Sequence, residues 1–254
     1  MLKIKNVTKS FGGLTAVHDV TFQLDDTGIT GLVGPNGSGK TTLFHLITGF
    51  YRLDRGQIHF NDMRISGLAP HIISRMGLVR TFQQTRVLPF LSALENLMAA
   101  SPGQSGERLA SVFFKPSRVK REEGRNREKT LQILELLKLK PLSQHLAGRL
   151  SFGQQKLLEL GRVLMAEPKM ILLDEPAAGI NPTLIRQLVE VIRELARGGI
   201  QIFMIEHNMP LVAEVCEKVF VMDSGSLIFS GTPSEARQNS RVIEAYLGSE
   251  DHAA

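Results

Sequence analysis

The sequence predicts an α/β fold, and two observations carry that prediction. A glycine-rich segment at residues 34–41 lies between strand-like residues 29–33 and helix-like residues 42–47. Two further apolar runs, at 170–173 and 200–205, have the length and composition of buried parallel strands. A helical pattern separates these two runs and completes a strand–helix–strand unit.

The residues on either side of the glycine segment predict an antiparallel sheet. Short strand-like runs lie at 2–4, 16–24 and 56–60. Gly12-Gly13 and the pair Asn61-Asp62 supply turns. We therefore expect a sheet of hairpin-connected strands beside the glycine segment.

From about residue 93 to residue 146 the pattern is helical and polar. Helix breakers at 101–106 precede a basic run at 115–129, which leads into an apolar helical face at 131–137. Beyond residue 150, strand-like and helical runs alternate again and end in a predicted hairpin around 219–229. This pattern predicts a helical subdomain inserted into an α/β core.

Composition limits the classes of function. The net charge of +5 is mild and selects no partner by itself. The single cysteine excludes an internal disulfide and fits a reducing compartment. No run approaches the roughly 18 apolar residues that a membrane-spanning helix needs. The first residues lack the apolar centre of a signal peptide.

The glycine segment carries the strongest functional signal. It matches the phosphate-binding loop G-x-x-x-x-G-K-[ST] in the strand–loop–helix context that this motif requires. Its glycines let successive backbone N–H groups point at an anion, and the following helix adds its positive end. We expect Lys40 to bind β- and γ-phosphate oxygens and Thr41 to hold Mg²⁺. The predicted nucleotide-binding residues here are Gly34, Pro35, Asn36, Gly37, Ser38, Gly39, Lys40, Thr41 and Thr42.

The expected architecture is a single domain over residues 1–254. Its P-loop NTPase core, with an antiparallel β subdomain, would comprise residues 1–92 and 160–254. The inserted helical subdomain would comprise about residues 93–159.

Two acidic residues follow the apolar run at 170–173. A carboxylate at the end of a buried strand, next to a phosphate loop, can hold Mg²⁺ through water, and we assign this role to Asp174. Glu175 is placed to orient or deprotonate a water that attacks the γ-phosphate.

The segment Leu150-Ser151-Phe152-Gly153-Gln154 narrows the class. Ser151 and Gln154 have capping-box spacing, and a helix start with a serine hydroxyl can bind an anion. The segment resembles the Leu-Ser-Gly-Gly-Gln signature of the ATP-binding cassette (ABC) ATPases, with Phe152 in place of the first glycine. That family carries its signature shortly before the strand with the paired acids, as this chain does. The resemblance implies that nucleotide is bound by Ser151, Phe152, Gly153 and Gln154.

The resemblance covers nearly the whole chain and implies further roles. Gln83 lies where the family has a glutamine that contacts Mg²⁺ and water, and the adjacent Gln84 is the alternative. His207 lies where the family has its switch histidine near the γ-phosphate. Phe11 matches the aromatic residue that stacks on adenine, and Asn181, where many members have aspartate, lies in the loop that couples two ATP sites. The implied catalytic residues are Glu175, His207 and Gln83, and the implied metal ligands are Thr41, Gln83 and Asp174.

Within the family, several segments look most like the ATPase subunits of branched-chain amino acid importers, among them Arg80-Thr81-Phe82-Gln83 and Ala245-Tyr246-Leu247-Gly248. The family implies ATP and Mg²⁺ as cofactors and a second ABC ATPase subunit, identical or related. It further implies integral membrane permeases, indirect cooperation with an extracytoplasmic solute-binding protein, and a peripheral location at the cytoplasmic face of the inner (plasma) membrane. In this family, each ATP lies between the phosphate loop of one subunit and the signature of the other.

Three alternatives stay open. The solute could be an amide, a urea-like compound or a lipid-like compound. The chain could be a non-transport ABC ATPase, although such proteins usually carry two cassettes or a long coiled coil. The basic run at 115–129 could bind nucleic acid, but its seven basic and three acidic residues are intermixed and include no aromatic residue. That pattern favours a solvated helix face, so we expect no nucleic-acid partner.

Overall fold

The computed structural model describes residues 1–24, 28–81, 87–104 and 116–247. The strands are β1 Leu2–Phe11, β2 Leu14–Gln23, β3 Ile29–Val33, β4 Arg55–Phe60, β5 Met63–Arg64, β6 Leu78–Arg80, β7 Met170–Asp174, β8 Gln201–Ile205, β9 Lys218–Asp223 and β10 Ser226–Gly231. The α-helices are α1 Lys40–Ile47, α2 Pro70–Arg75, α3 Ala93–Ala99, α4 Pro116–Leu136, α5 Phe152–Leu164, α6 Pro182–Arg197, α7 Met209–Val215, α8 Pro233–Gln238 and α9 Ser240–Leu247.

The chain divides into two compact units. The first, here called the core unit, consists of Met1–Arg80, Lys169–Ala177 and Ile192–Ala254. The second, here called the helical unit, consists of Thr81–Pro168 and Ala178–Val191. The domain limits expected from the sequence stay a prediction.

Two sheets form the core unit. One is antiparallel, with the order β2-β1-β4-β5, and the other has the order β10-β9-β3-β8-β7-β6. In the second sheet all neighbours from β9 to β6 are parallel, and β10 pairs antiparallel with β9. The expected α/β fold, with an antiparallel sheet in addition to the parallel one, is confirmed.

The central parallel strands position the loops that follow them. Every residue of β3, β7 and β8 is buried, as in parallel strands that are covered on both faces. Phe44 of α1, Phe22 of β2 and Phe203 of β8 belong to one hydrophobic core, which joins both sheets to the helix after the glycine loop. Burial of each such aromatic ring stabilises the fold by roughly 2–3 kcal/mol. The carboxyl ends of β3, β7 and β8 are therefore held close together.

The helical unit is built from α3, α4 and α5, which contact one another. Gly161 allows α5 to approach its neighbours, because a Cβ at this position would lie 2.7 Å from Leu137 Cδ1 and 3.3 Å from Leu97 Cδ1. Ser92 begins α3 with a capping box to Glu95.

Several elements extend beyond the limits that the sequence pattern predicts. β1 runs from Leu2 to Phe11 because it pairs with both β2 and β4, which compensates for its polar residues. α4 begins at Pro116, well before the apolar face at 131–137. Its first turns are polar and largely exposed, so no apolar pattern marks them in the sequence. Within the part of the chain that the structure describes, no helix is both long and apolar enough to span a membrane.

Candidate functional site

The glycine loop joins β3 to α1 and requires glycine at three positions. The backbone angle φ is +147° at Gly34, +79° at Gly37 and +98° at Gly39. A Cβ at Gly34 would lie 2.0 Å from the carbonyl oxygen of Met222, and one at Gly39 would lie 2.2 Å from that of Ala16. Only glycine lets the loop approach β9 and β2 this closely.

Lys40 folds back into the glycine loop. Its ammonium group donates to the carbonyl oxygens of Gly34, at 2.9 Å, and Pro35, at 2.7 Å, and to Ser38 Oγ at 3.3 Å. Burial lowers the pKa of Lys40 from its ordinary value of 10.5 to about 8, although two nearby carboxylates act in the opposite direction. A poorly solvated ammonium group in a ring of backbone dipoles is well placed to bind an anion.

An open cleft of about 550 Å³ lies against this loop, entirely within the core unit. Its volume is within the range of small-molecule binding sites. The predicted residues that line it are Phe11, Asn36, Gly37, Gly39, Lys40, Thr41, Thr42, Glu175 and His207. One surface of the core unit therefore combines the phosphate loop, an aromatic ring and a carboxylate–imidazole pair.

Glu175 and His207 meet at the ends of two adjacent parallel strands. His207 Nε2 lies 2.9 Å from Glu175 Oε1, with 38% and 23% of the two side chains exposed. The backbone of Glu175 is left-handed, with φ at +48°, and its N–H donates to the carbonyl oxygen of Ile205 at 3.0 Å. Such a backbone in a non-glycine residue costs roughly 1–3 kcal/mol and persists only where its surroundings hold it.

Asp174, the last residue of β7, forms a buried ion pair with Arg80, the last residue of β6. Arg80 Nη2 lies 2.5 Å from Asp174 Oδ2, and the two side chains are only 6% and 1% exposed. The guanidinium carbon of Arg80 also lies 5.7 Å from the centre of the Phe44 ring. A permanently charged group thus compensates the buried carboxylate that the sequence predicts as a metal ligand.

Phe11 presents an aromatic ring to the cleft. The ring is 43% exposed and meets Tyr51 edge-on, with 5.3 Å between the ring centres and 72° between the planes. Lys9 Nζ lies 5.2 Å from the ring centre. These contacts orient the ring and leave part of it open for stacking.

The predicted signature segment begins α5 in the helical unit. The backbone N–H of Gln154 donates to Ser151 Oγ at 3.3 Å, and that of Ser151 donates to Gln154 Oε1 at 2.9 Å, so the expected capping box is confirmed. Phe152 is half-exposed, and Lys156 Nζ lies 5.3 Å from its ring centre. Lys156 also donates to the carbonyl oxygen of Ala178 at 2.6 Å.

The predicted coupling loop packs against the same helix start. A Cβ at Gly179, where φ is +73°, would lie 3.0 Å from Phe152 Cε1, and a Cβ at Gly153 would lie 2.4 Å from Leu184 Cδ1. Asn181 directly precedes α6, and its Oδ1 accepts the backbone N–H of Leu184 at 3.0 Å. Asparagine fills this capping role as well as aspartate does.

The structure divides the predicted residues between the two units. The core unit contains Phe11, the glycine loop, Asp174, Glu175 and His207, and the helical unit contains residues 151–154 and Asn181. Gln83 and its alternative Gln84 lie outside the described residues.

Three further residues lie beside these sites and were not predicted as functional: Arg80, Lys156 and Glu206. In the sequence, Arg80 and Glu206 are recognisable only as charged residues at the end of apolar runs. This pattern does not indicate their partners, which are Asp174 for Arg80 and the backbone of Ala177 for Glu206. Lys156 lies one turn after Phe152 on α5, where helix spacing alone indicated only proximity.

Comparison with known proteins decides the family. The family model described as "ABC transporter" matches residues 17–178, more than half of the chain. This chain belongs to the ABC transporter family. It is an ATP-binding cassette, the ATPase component of such a transporter, as its motifs predicted. A second family model, described as "Branched-chain amino acid ATP-binding cassette transporter", matches residues 226–252.

Individual relatives of this cassette cover its whole length. It is 40% identical over 252 residues to the "Probable branched-chain amino acid transport ATP-binding protein LivG" of Archaeoglobus fulgidus, covering 99% of this chain and 96% of the relative. It is 37% identical over 249 residues to the high-affinity branched-chain amino acid transport ATP-binding protein BraF of Pseudomonas aeruginosa, covering 98% of each. A crystal structure of an ABC transporter cassette in its ADP conformation is 36% identical, with a TM-score of 0.82 and 98% of each chain covered.

Proposed function

We propose that this cassette hydrolyses ATP to drive import of branched-chain or related amino acids through partner membrane permeases. The observation that carries the hydrolytic part is the contact of 2.9 Å between His207 Nε2 and Glu175 Oε1 in the cleft that Lys40 lines. The solute class is supported by the C-terminal family match at residues 226–252 and by the printed names of the relatives.

Each of the cleft residues has a distinct role in hydrolysis. Lys40 and the backbone N–H groups of the glycine loop bind the triphosphate, and Phe11 stacks on the base. Glu175 accepts a hydrogen bond from the attacking water and takes its proton as the water oxygen bonds to the γ-phosphorus. The bond between the γ-phosphorus and the β–γ bridging oxygen breaks in the same step, and ADP leaves with the electron pair of that bond. His207 holds the Glu175 carboxylate on one side and contacts the γ-phosphate on the other.

The residues present fit Mg²⁺. Among the described residues, no group of three or more His, Cys, Asp or Glu side chains could enclose a metal. Mg²⁺ needs no such cage, because it keeps several waters and binds one or two carboxylates together with substrate phosphates. Thr41, which lines the cleft, would hold it with its hydroxyl oxygen, and Asp174, whose Oδ2 is paired with Arg80, would hold it through water. Gln83 is the further expected ligand. When bound, Mg²⁺ neutralises charge that develops on the phosphate oxygens.

We propose a second ABC ATPase subunit, identical or related, whose residues corresponding to 151–154 bind the γ-phosphate opposite the glycine loop. Ser151 supports this role, because its oxygen accepts the capping N–H and leaves its own proton available for an anion. Integral permeases would hold the cassette at the cytoplasmic face of the membrane, and an extracytoplasmic solute-binding protein would deliver the solute to them.

The test is ATP hydrolysis by the purified chain and by Glu175→Gln. We expect the variant to bind fluorescent ATP as the original protein does and to lose at least about 100-fold in kcat, the order that general-base catalysis contributes. Reconstitution with the permeases in vesicles, followed by uptake of labelled leucine, tests the solute class. Hydrolysis at the original rate by Glu175→Gln would exclude the assigned role, and uptake of urea or an amide in place of leucine would exclude the assigned solute.

A further inference from the structure

Glu206 is a buried carboxylate between β8 and His207 and is not among the residues that line the cleft. Only 3% of the residue is exposed. Its Oε1 accepts the backbone N–H of Ala177 at 2.8 Å, and its Oε2 accepts those of His207 at 3.2 Å and Asn208 at 3.4 Å. Glu206 therefore bridges the loop after β7 and the loop after β8.

These two loops carry the groups that meet in the cleft. Asp174 and Ile205 are paired residues at the ends of β7 and β8. Glu175, next along the first loop, has the left-handed backbone described above, and its N–H is held by Ile205. Two residues later, the N–H of Ala177 is held by Glu206. The strained backbone of Glu175 is thus fixed on both sides, and Glu206 supplies one of the two bonds.

A carboxylate is energetically unfavourable at this position because it is buried. Burial raises the pKa of Glu206, and the three backbone N–H groups only partly offset that effect. Among the described residues, no Lys, Arg or His forms an ion pair with Glu206. What a carboxylate offers here is two acceptor oxygens that can bind donors on two different loops.

We propose that Glu206 is a positioning residue that holds Glu175 and His207 in contact by joining the loops that carry them. This inference rests on the proposed ATP hydrolysis, because it assigns to Glu206 the geometry of that reaction. The strain of a left-handed glutamate and the stabilisation by a hydrogen bond to a charged group are of the same order. Removal of one such bond is therefore enough to release Glu175 into other backbone conformations.

Glu206→Gln tests the proposal, since it keeps the size of the side chain and removes one acceptor. The amide oxygen can accept from one loop, but the NH₂ group then opposes a backbone N–H of the other. We expect kcat to fall by about 10- to 100-fold, the order expected for a misplacement near 1 Å. The KM for ATP should stay within about twofold, because the glycine loop is untouched. An unchanged kcat in a folded Glu206→Gln protein would overturn the proposal.

A double variant distinguishes positioning from general destabilisation. If Glu206 acts through Glu175, then Glu175→Gln with Glu206→Gln should be no slower than Glu175→Gln alone. A further loss that multiplies the two single effects would overturn the proposal. Glu235→Gln is the matched control, because the Glu235 carboxylate also accepts a backbone N–H, that of Thr232 at 2.7 Å, outside the cleft. It should leave kcat unchanged.

If Glu206→Gln does not fold, Glu206→Asp replaces it. Aspartate keeps the charge but is one methylene shorter, so it cannot reach both loops. We expect a severalfold loss of kcat with the KM for ATP retained, and full activity would refute the bridging role. Failure of the original protein to hydrolyse ATP would instead remove the proposed function, which makes the two failures distinguishable.

Discussion

The buried pair of Arg80 and Asp174 allows a stability prediction. Arg80→Met keeps much of the side-chain volume beside Phe44 and removes the guanidinium group from a carboxylate that is 1% exposed. Breaking a buried ion pair from one side costs about 3–5 kcal/mol, because the remaining charge is poorly solvated. For a domain of this size each kcal/mol lowers the melting temperature by about 2–4 °C. We therefore expect a decrease of roughly 6–20 °C.

The assay is thermal unfolding followed by circular dichroism, without nucleotide. Arg80→Met combined with Asp174→Asn should recover most of the loss, since the buried charge is then gone, and the resulting coupling energy measures the pair. Arg80→Lys, which keeps the positive charge, should lie between the original protein and Arg80→Met. If Arg80→Met melts within about 2 °C of the original protein, or if Asp174→Asn restores nothing, the pairing does not support the fold as argued.

Three further predictions concern nucleotide binding and hydrolysis. At a pH just above 8, ATP binding should take up a proton at Lys40, because the lowered pKa leaves roughly half of its amine neutral before the triphosphate raises that pKa again. Calorimetry in buffers of different ionisation enthalpy measures this uptake, and its persistence in Lys40→Met would contradict the assignment. Phe11→Ala should weaken ATP binding by about 1–3 kcal/mol and leave tripolyphosphate binding unchanged, and equal losses for both would exclude stacking. Lys156→Met removes the hydrogen bond to the Ala178 carbonyl and should lower kcat severalfold without changing ATP affinity. An unchanged kcat in steady-state hydrolysis would refute a role for this hydrogen bond in hydrolysis.

The sequence determined the parts of this protein that depend on local interactions. The glycine loop was recognisable because backbone angles such as φ of +98° at Gly39 require glycine at fixed spacing. The strand before it was predicted with its full extent, Ile29–Val33, because a strand buried on both faces reads as a continuous apolar run. The capping box of Ser151 and Gln154 depends on residues three apart and was equally visible.

Only the tertiary structure decided how distant residues combine. Arg80 and Asp174 are 94 positions apart, and Ala177 and Glu206 are 29 positions apart, so no local pattern links either pair. Their contacts follow from strand order, which places β7 between β6 and β8. The left-handed backbone of Glu175 likewise has no local cause, because it is held by bonds to Ile205 and through Ala177 to Glu206. Sequence specifies what each loop can do chemically, whereas packing of neighbouring parallel strands selects which loops act on one another.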